Sequence, residues 1–315
     1  MNDSRLEPRR TGDGSLTLWS ERFGECFHSG SGAYAEAQQK FVVPASLLRF
    51  APGSRLRVLD VCVGLGYNSA ALLEAAERQG LQLEWIGLEL DPRPLTLALA
   101  DTGFRKLWRA DTLDVLTDLQ RHGQWCSAAG SSGHWRLGDA RRQLPDLVRT
   151  HSGQLDLVLH DAFSPGHCPE LWSVEVLTGL AALLRPRGRL LTYCAAAAVR
   201  RGLQEVGLRL ASIAGPSEGS RPGPGAGRWC HGTAASPEPL PLIEDGGVLR
   251  PLSAMEREHL LTRAAEPYRD PSGTADAARL QAERSERQNL HRGESTSAWR
   301  RRWQLERRAR PTQPA

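Results

Sequence analysis

From Arg57 onward, apolar runs of strand length recur along the chain and alternate with stretches of helical spacing. The strand-like runs are Arg57–Val63, Leu83–Leu90, Trp135–Leu137, Leu155–Ala162, Arg189–Cys194, Leu208–Ala214 and Arg228–Thr233, the third and last being the least pronounced. Helical patterns occupy Tyr67–Arg78, Pro92–Ala100, Pro169–Leu184 and Ala197–Val206. Strands that alternate with helices of this length predict an α/β architecture, a mainly parallel seven-stranded sheet with helices on both faces.

Outside that alternation the pattern changes. Residues 1–52 mix aromatics with turn residues and carry one short helical pattern, Tyr34 to Val42, which reads as an N-terminal lid. Residues 53–236 hold the regular core. Within it, residues 121–134 form a polar insert and the glycine- and proline-rich residues 215–227 a flexible loop. Residues 237–315 are expected to form a helical, basic and partly disordered extension. Residues 281–315 hold nine arginines and four glutamates, a net of +5. Such a segment is expected to be a solvated helix, with a phosphate-facing arm as the sharper alternative.

Composition narrows the class little. Hydrophobic content of 40% and charged content of 24% are ordinary for a globular chain. No apolar run approaches the roughly 20 residues needed to cross a bilayer, and Met1–Arg10 carries no hydrophobic segment, so neither a membrane span nor a secretory signal is expected. Six scattered cysteines without a Cys-x-x-Cys pair fit a reducing cytoplasm. His160, His167 and Cys168 match no zinc spacing, and no metal is expected. The net charge of +4 rests almost wholly on arginine, since Lys40 and Lys106 are the only lysines; it permits an RNA partner without requiring one.

Two strand ends carry the chemistry. The run Leu155–His160 stops in Asp161-Ala162-Phe163-Ser164-Pro165, placing an acid at the carboxyl edge of the sheet, where open α/β folds bind ligands. By itself Asp161 could equally cap a helix or close an Asx turn. About a hundred residues earlier a second strand ends in Val63-Gly64-Leu65-Gly66-Tyr67-Asn68, a turn in which backbone can approach a ligand. Asp60 precedes this turn. Glu89 ends the next strand, where a carboxylate can bridge ribose hydroxyls, and Asp139 ends the third, where it can accept from an exocyclic amine. The third glycine of a dinucleotide fingerprint is absent, because Ser69 stands there. The pattern suits S-adenosylmethionine (SAM), whose uncharged ribose needs acceptors, better than NAD. A side chain at Gly66 is expected to enter the ligand's space.

At this point the chain resembles the methyltransferase domains of the MnmC type, which act on modified wobble uridines of tRNA. The resemblance covers about residues 17–235. It rests on Ser20-Glu21-Arg22-Phe23-Gly24, on Phe27-His28-Ser29 with Glu36 and Phe41, on the glycine turn with Asn68, and on Gly138-Asp139. It continues through Asp161-Ala162-Phe163-Ser164-Pro165, Pro169-Glu170-Leu171-Trp172-Ser173, Leu184–Leu190 and Val199-Arg200-Arg201-Gly202-Leu203. It implies a Rossmann-like SAM-dependent fold. It also implies that Asp60, Gly64, Leu65, Gly66, Asn68, Glu89, Asp139 and Asp161 hold SAM, that Asp161 is catalytic and faces the amine to be methylated, and that Ser29, Phe163, Arg200 and Arg201 meet the tRNA. Cys62 departs from the family's acid-x-Gly-x-Gly-x-Gly turn, where a glycine is usual. Nothing in the chain reads as the flavin (FAD) oxidase domain that full-length bacterial relatives carry, so an aminomethyl substrate would come from another route. Two rivals remain open: an aminopropyl transferase of the spermidine-synthase kind, and a non-catalytic Rossmann-type RNA-binding module.

Overall fold

The computed structural model describes residues 4–30, 32–214, 231–242 and 248–305. The loop expected at 215–227, the start of the strand expected from Arg228, and the end of the basic tail lie outside them.

The N-terminal region is an antiparallel sheet of β1 (Leu6–Arg10), β2 (Leu16–Ser20) and the short β3 (Glu25–Cys26), followed by one helical segment over Ala33–Ala45. Leu16, Leu18, Ala33, Phe41 and Leu47 are buried in the same apolar cluster as Leu56, Val58 and Leu72, so this region closes one face of the core. The main sheet comprises β4 (Arg55–Val61), β5 (Gln82–Glu89), β6 (Gln124–Cys126), β7 (Ser132–Leu137), β8 (Leu155–His160), β9 (Leu184–Thr192), β10 (Arg209–Ile213), β11 (Gly232–Ser236) and β12 (Leu249–Arg250). Its order is β12-β10-β11-β9-β8-β4-β5-β7-β6. The five central strands from β9 to β7 are parallel, and the outer strands pair antiparallel. All seven expected strands have a counterpart. The two extra members, β6 and β12, are edge strands of three and two residues, too short to register as periodicity.

Side-chain alternation along β4 sorts the two layers. Leu56 and Val58 face the helix Tyr67–Arg78 and the N-terminal region, whereas Leu59 and Val61 face the layer that includes the helices Ala140–His151, Val174–Leu183 and Ala197–Glu205. Two of the longer helices were not expected from the sequence. Ala110–His122 begins in polar residues, and Ala140–His151 contains Pro145 and shows few apolar positions, with only Leu144 and Leu147 buried. The expected helix Pro169–Leu184 is divided, with a 3-10 turn at Pro169–Trp172 and the α-helix starting at Val174 behind the Ser173 cap.

The extension is described over residues 237–242 and 248–305. Helices Ala277–Leu290 and Thr296–Arg302 return to the core, where Leu280 and Trp299 are buried. Their arginines find partners far away in sequence: Arg284 donates to the carbonyls of Ala264 and Glu266, Arg287 pairs with Glu266 at 2.8 Å, and Arg302 bridges Glu258 and Glu294. Local charge counting cannot reveal such acceptors.

One buried network fixes this extension to the sheet. Arg200, 2% exposed, pairs with Glu256 at 3.1 Å and donates to Thr233 and Ser212. Glu256 also pairs with Arg250 at 2.7 Å and completes a capping box with Ser253. Burial opposes the charge on Glu256, but Arg200 and these hydrogen bonds hold its carboxyl down at about 2. Its folded value lies below its ordinary one, so its contribution to stability is complete above about pH 4.5 and is lost as pH falls toward 2. Glu256→Gln, which strands a buried guanidinium, is expected to lower unfolding free energy by about 3–5 kcal/mol in urea titrations and to blunt that acid dependence. A loss below about 1 kcal/mol, the scale of an exposed pair, would contradict this role for the network.

Candidate active site

Parallel strands β4, β5, β7 and β8 end at one edge, and the chain reverses its winding direction between β4 and β8, the usual ligand crevice of such sheets. A cavity opens there. Gly64 follows β4, Glu89 closes β5, Gly138 and Asp139 follow β7, and Asp161 with Phe163 follows β8; all line it. The N-terminal region supplies Phe23, Phe27 and Arg22, and the segment after Pro165 supplies Cys168, Glu170 and Leu171.

Glu89 is buried and already partnered: Oε2 accepts from the Gly64 amide at 2.8 Å, and Oε1 accepts from the amides of Leu90 and Asp91. These bonds clamp the glycine turn to the end of β5. Burial nevertheless raises its proton affinity. Asp139 caps the helix Ala140–His151 and forms a bidentate pair with Arg141. Burial opposes ionisation, but Arg141 keeps Asp139 below the ordinary carboxylate range. Arg141 also donates to Asp270 and to the Ala275 carbonyl, both at 2.8 Å, so the C-terminal extension buttresses this end of the cavity.

Asp161 is held from behind. The Asn68 amide donates to its Oδ2 at 2.7 Å, and its own amide donates to the Val61 carbonyl. Burial, the dominant cause, pushes the Asp161 carboxyl up to about 7, against the hydrogen bond from Asn68. Asp161 therefore titrates near neutrality, as a proton acceptor should. Phe163 stacks on Phe23 at 4.3 Å and meets the edge of Phe27 at 4.8 Å, so one face of the ring is already covered. The Ser164 amide donates to Glu25 at 2.9 Å, which ties this loop to β3.

The donor set fits SAM. The carboxylates sit at strand ends around an apolar wall, and the Gly64 backbone has φ +56°, where a Cβ would come within 3.2 Å of Phe27. Residues 108–220 match the S-adenosyl-L-methionine-dependent methyltransferase family. The structure superposes on MNMC2 of Aquifex aeolicus with a TM-score of 0.72 and 28% identity, covering 92% of this chain and 87% of that one. The chain has the fold of the SAM-dependent methyltransferases. It is also 32% identical over 215 residues to the tRNA 5-methylaminomethyl-2-thiouridine biosynthesis bifunctional protein MnmC of Cupriavidus necator, a match covering 62% of this chain and 31% of that protein. An uncharacterized protein of Methanocaldococcus jannaschii is 28% identical, with 62% and 52% covered. The chain thus spans between about a third and a half of the length of these two relatives.

Several residues expected to bind ligand stand away from the cavity. Asp60 is fully buried behind the turn, where Oδ2 accepts from Ser69 at 2.6 Å, because strand alternation points it toward the helix Tyr67–Arg78. Leu65 is a core residue, 1% exposed. Gly66, at φ +88°, faces Leu95 and Leu116, which a Cβ would meet at 3.1 and 3.4 Å; a side chain there enters the helix packing and not the ligand's space. Asn68 reaches the site through Asp161 and does not line the cavity. Ser29 hydrogen-bonds Glu36 away from the cavity. Arg200 is no phosphate contact, since it is consumed by the Glu256 network, and Arg201 is half-exposed on Glu205.

Asp91, held by Arg93, also lines the cavity, and so does Cys62, the residue that departs from the family's glycine turn. Cys62 adopts φ +69°, a conformation that favours glycine and explains why glycine is usual at this position. Burial, reinforced by Glu89, raises its thiol well above the usual value, so it stays neutral against the ligand.

Proposed function

We propose that this chain transfers a methyl group from SAM to the primary amine of an aminomethyl wobble uridine in tRNA, giving the methylaminomethyl form (5-aminomethyl-2-thiouridine to 5-methylaminomethyl-2-thiouridine). The observation that carries the reading is Asp161: a half-buried carboxylate, oriented by Asn68, that opens into the same cavity as Gly64 and Glu89. The names of the similar proteins from Cupriavidus necator and Aquifex aeolicus point the same way. No helix among the described residues is long and apolar enough to cross a membrane, in keeping with a cytoplasmic enzyme acting on tRNA.

In this reading the Gly64 backbone, Glu89 and Asp139 hold SAM, and Phe23, Phe27 and Phe163 form an apolar wall that excludes water beside it. SAM, when bound, supplies an electrophilic methyl group on a sulfonium. Asp161 performs the acid–base work. An alkylammonium has a pKa of about 10, so the free amine is scarce at neutral pH. The Asp161 carboxylate hydrogen-bonds the amine, directs its lone pair along the line of attack and takes up the proton that the nitrogen sheds. The carboxylate form predominates above about pH 7, so kcat/KM is expected to fall as pH drops below 7. A pH profile that stays flat down to pH 5 would contradict this role.

The activity itself is tested by incubating the full chain with methyl-labelled SAM and tRNA from cells lacking this protein, followed by nucleoside mass spectrometry. Label in a methylaminomethyl uridine is the expected result. Label on another nucleoside alone, or no label in the RNA, would overturn the assignment.

A further inference from the structure

Among the described residues, five acidic side chains line the cavity, and four of them have strong protein donors. Three backbone amides hold Glu89, Arg93 holds Asp91, Asn68 holds Asp161, and Arg141 holds Asp139. Arg141 claims Asp139 on both oxygens: Oδ1 accepts from its amide and Nε, and Oδ2 from its Nε and terminal nitrogen. An ionised carboxyl offers about four such positions, so none is left open for an amine on the ligand. Glu170 differs. It lines the cavity, yet its Oε2 is buried and meets no donor among the described residues. Cys168, two residues earlier, offers it only a thiol, which is a weak donor. A buried acceptor without a donor costs free energy, and folded proteins keep few of them. In the wall of a cavity, such a group points to a donor that arrives with the ligand.

The place of Glu170 in the fold decides which part of the ligand it meets. It lies on the 3-10 turn Pro169–Trp172, beyond the strand end that carries Asp161. Residues 268–281 of the extension strap this segment down: the Tyr268 carbonyl accepts from the Val174 amide at 2.9 Å, and Gln281 donates to the Gly166 carbonyl at 2.7 Å. The same stretch holds Arg141 through Asp270 and the Ala275 carbonyl. Glu170 therefore shares a frame with Asp139 and Arg141. The glycine turn has other neighbours, Glu89 and Phe27. Two leucines complete this end of the cavity, Leu90 at the close of β5, 42% exposed, and Leu171 beside Glu170. Strands β5 and β8 flank β4, so apolar side chains reach the cavity from both sides of that strand, as a flat ring requires.

We propose that Glu170 accepts the hydrogen bond of the 6-amino group of SAM's adenine and sets the preference for adenine over a 6-oxo purine. Asp139, locked to Arg141, frames the ring without bonding its amine. This rests on the reading above, in which SAM lies with its ribose at Glu89 and its methyl near Asp161; the adenine then falls at the Asp139 end, beside Glu170. A 6-amino group is a donor and suits a carboxylate that lacks one, whereas a 6-oxo group is an acceptor and is repelled. The other strong donor of SAM, the ammonium of its methionine part, lies across the ribose from the adenine and so at the opposite end of the cavity.

Calorimetry on the full chain tests this with three ligands: S-adenosylhomocysteine, its analogue with hydrogen in place of the 6-amino group, and S-inosylhomocysteine, which carries oxygen there. Glu170→Ala is expected to weaken S-adenosylhomocysteine about 10-fold or more, the scale of a hydrogen bond to a charged group, and to leave the 6-hydrogen analogue unchanged. The wild type is expected to reject the inosyl compound. Glu170→Gln, whose amide both donates and accepts, is expected to keep most of the adenosyl affinity and to gain about 10-fold on the inosyl compound. If Glu170→Ala does not fold, Glu170→Gln with the same three ligands carries the comparison. Losses confined to the 6-amino ligand, with discrimination relaxed in Glu170→Gln, support the assignment. Equal losses for the 6-amino and 6-hydrogen ligands, or no loss for either, overturn it and leave Glu170 a wall residue. Should Glu170 select the amine while the wild type methylates no RNA, the reaction assigned above fails and the role of Glu170 stands.

Discussion

Asp161→Asn is expected to reduce turnover by roughly 10²- to 10⁴-fold while leaving SAM affinity close to wild type. Asparagine is isosteric, and its amide oxygen can accept the same hydrogen bond that Asn68 gives to Asp161 Oδ2, so the loop need not move. What disappears is the group able to take a proton from the amine. Single-turnover methyl transfer measured beside SAM calorimetry separates the two effects. Loss of SAM binding in step with activity would mean that Asp161 holds the cofactor. Unchanged turnover would mean that it has no chemical role.

Gly64→Val is expected to weaken SAM binding by about 10- to 100-fold with only a modest loss of stability. The backbone at φ +56° costs a β-branched residue roughly 1–2 kcal/mol, and the new side chain meets Phe27 at the cavity wall, where a tenfold loss corresponds to about 1.4 kcal/mol. The contrast with Gly66 makes the measurement specific. Gly66→Ala presses on Leu95 and Leu116 from within the core, so it is expected to cost about 1–3 kcal/mol of stability and to spare SAM affinity in the molecules that remain folded. Calorimetry and thermal unfolding on the two variants should give opposite patterns. Equal loss of affinity in both would place the ligand on the helix side of the turn.

That contrast also shows where sequence reading stops. Two glycines two residues apart look equivalent as letters, yet one faces the cavity and the other a leucine pair, because the turn reverses between them. The strand ends at Glu89, Asp139 and Asp161 were legible, since each is an acid at or just past the end of a strand-like run, and the parallel pairing of those strands brings them to one edge. Asp60 stands one residue short of its strand end, and side-chain alternation turns it toward Ser69 on the helix Tyr67–Arg78. Arg200 beside Arg201 reads as a basic pair at a helix start, but burial divides them, and the acid that claims Arg200 lies 56 residues later. In the basic extension, the partners of Arg284, Arg287 and Arg302 are scattered carbonyls and acids, which no local pattern reveals. Phe23 and Phe27 were visible only as part of a resemblance; their convergence on Phe163 is a tertiary fact. Ala37–Val42 winds as a π-helix, which has no periodic signature that separates it from an ordinary short helix.

The measurement closest to the central claim is a crystal structure of the full chain with S-adenosylhomocysteine, the demethylated product. The ribose hydroxyls are expected on Glu89, the adenine beside Asp139, and the thioether sulfur turned toward the Asp161 carboxylate across an open space that admits an amine. A ligand seated with its sulfur on the far side of the Gly64 turn, or with Asp161 pointing elsewhere, would contradict it.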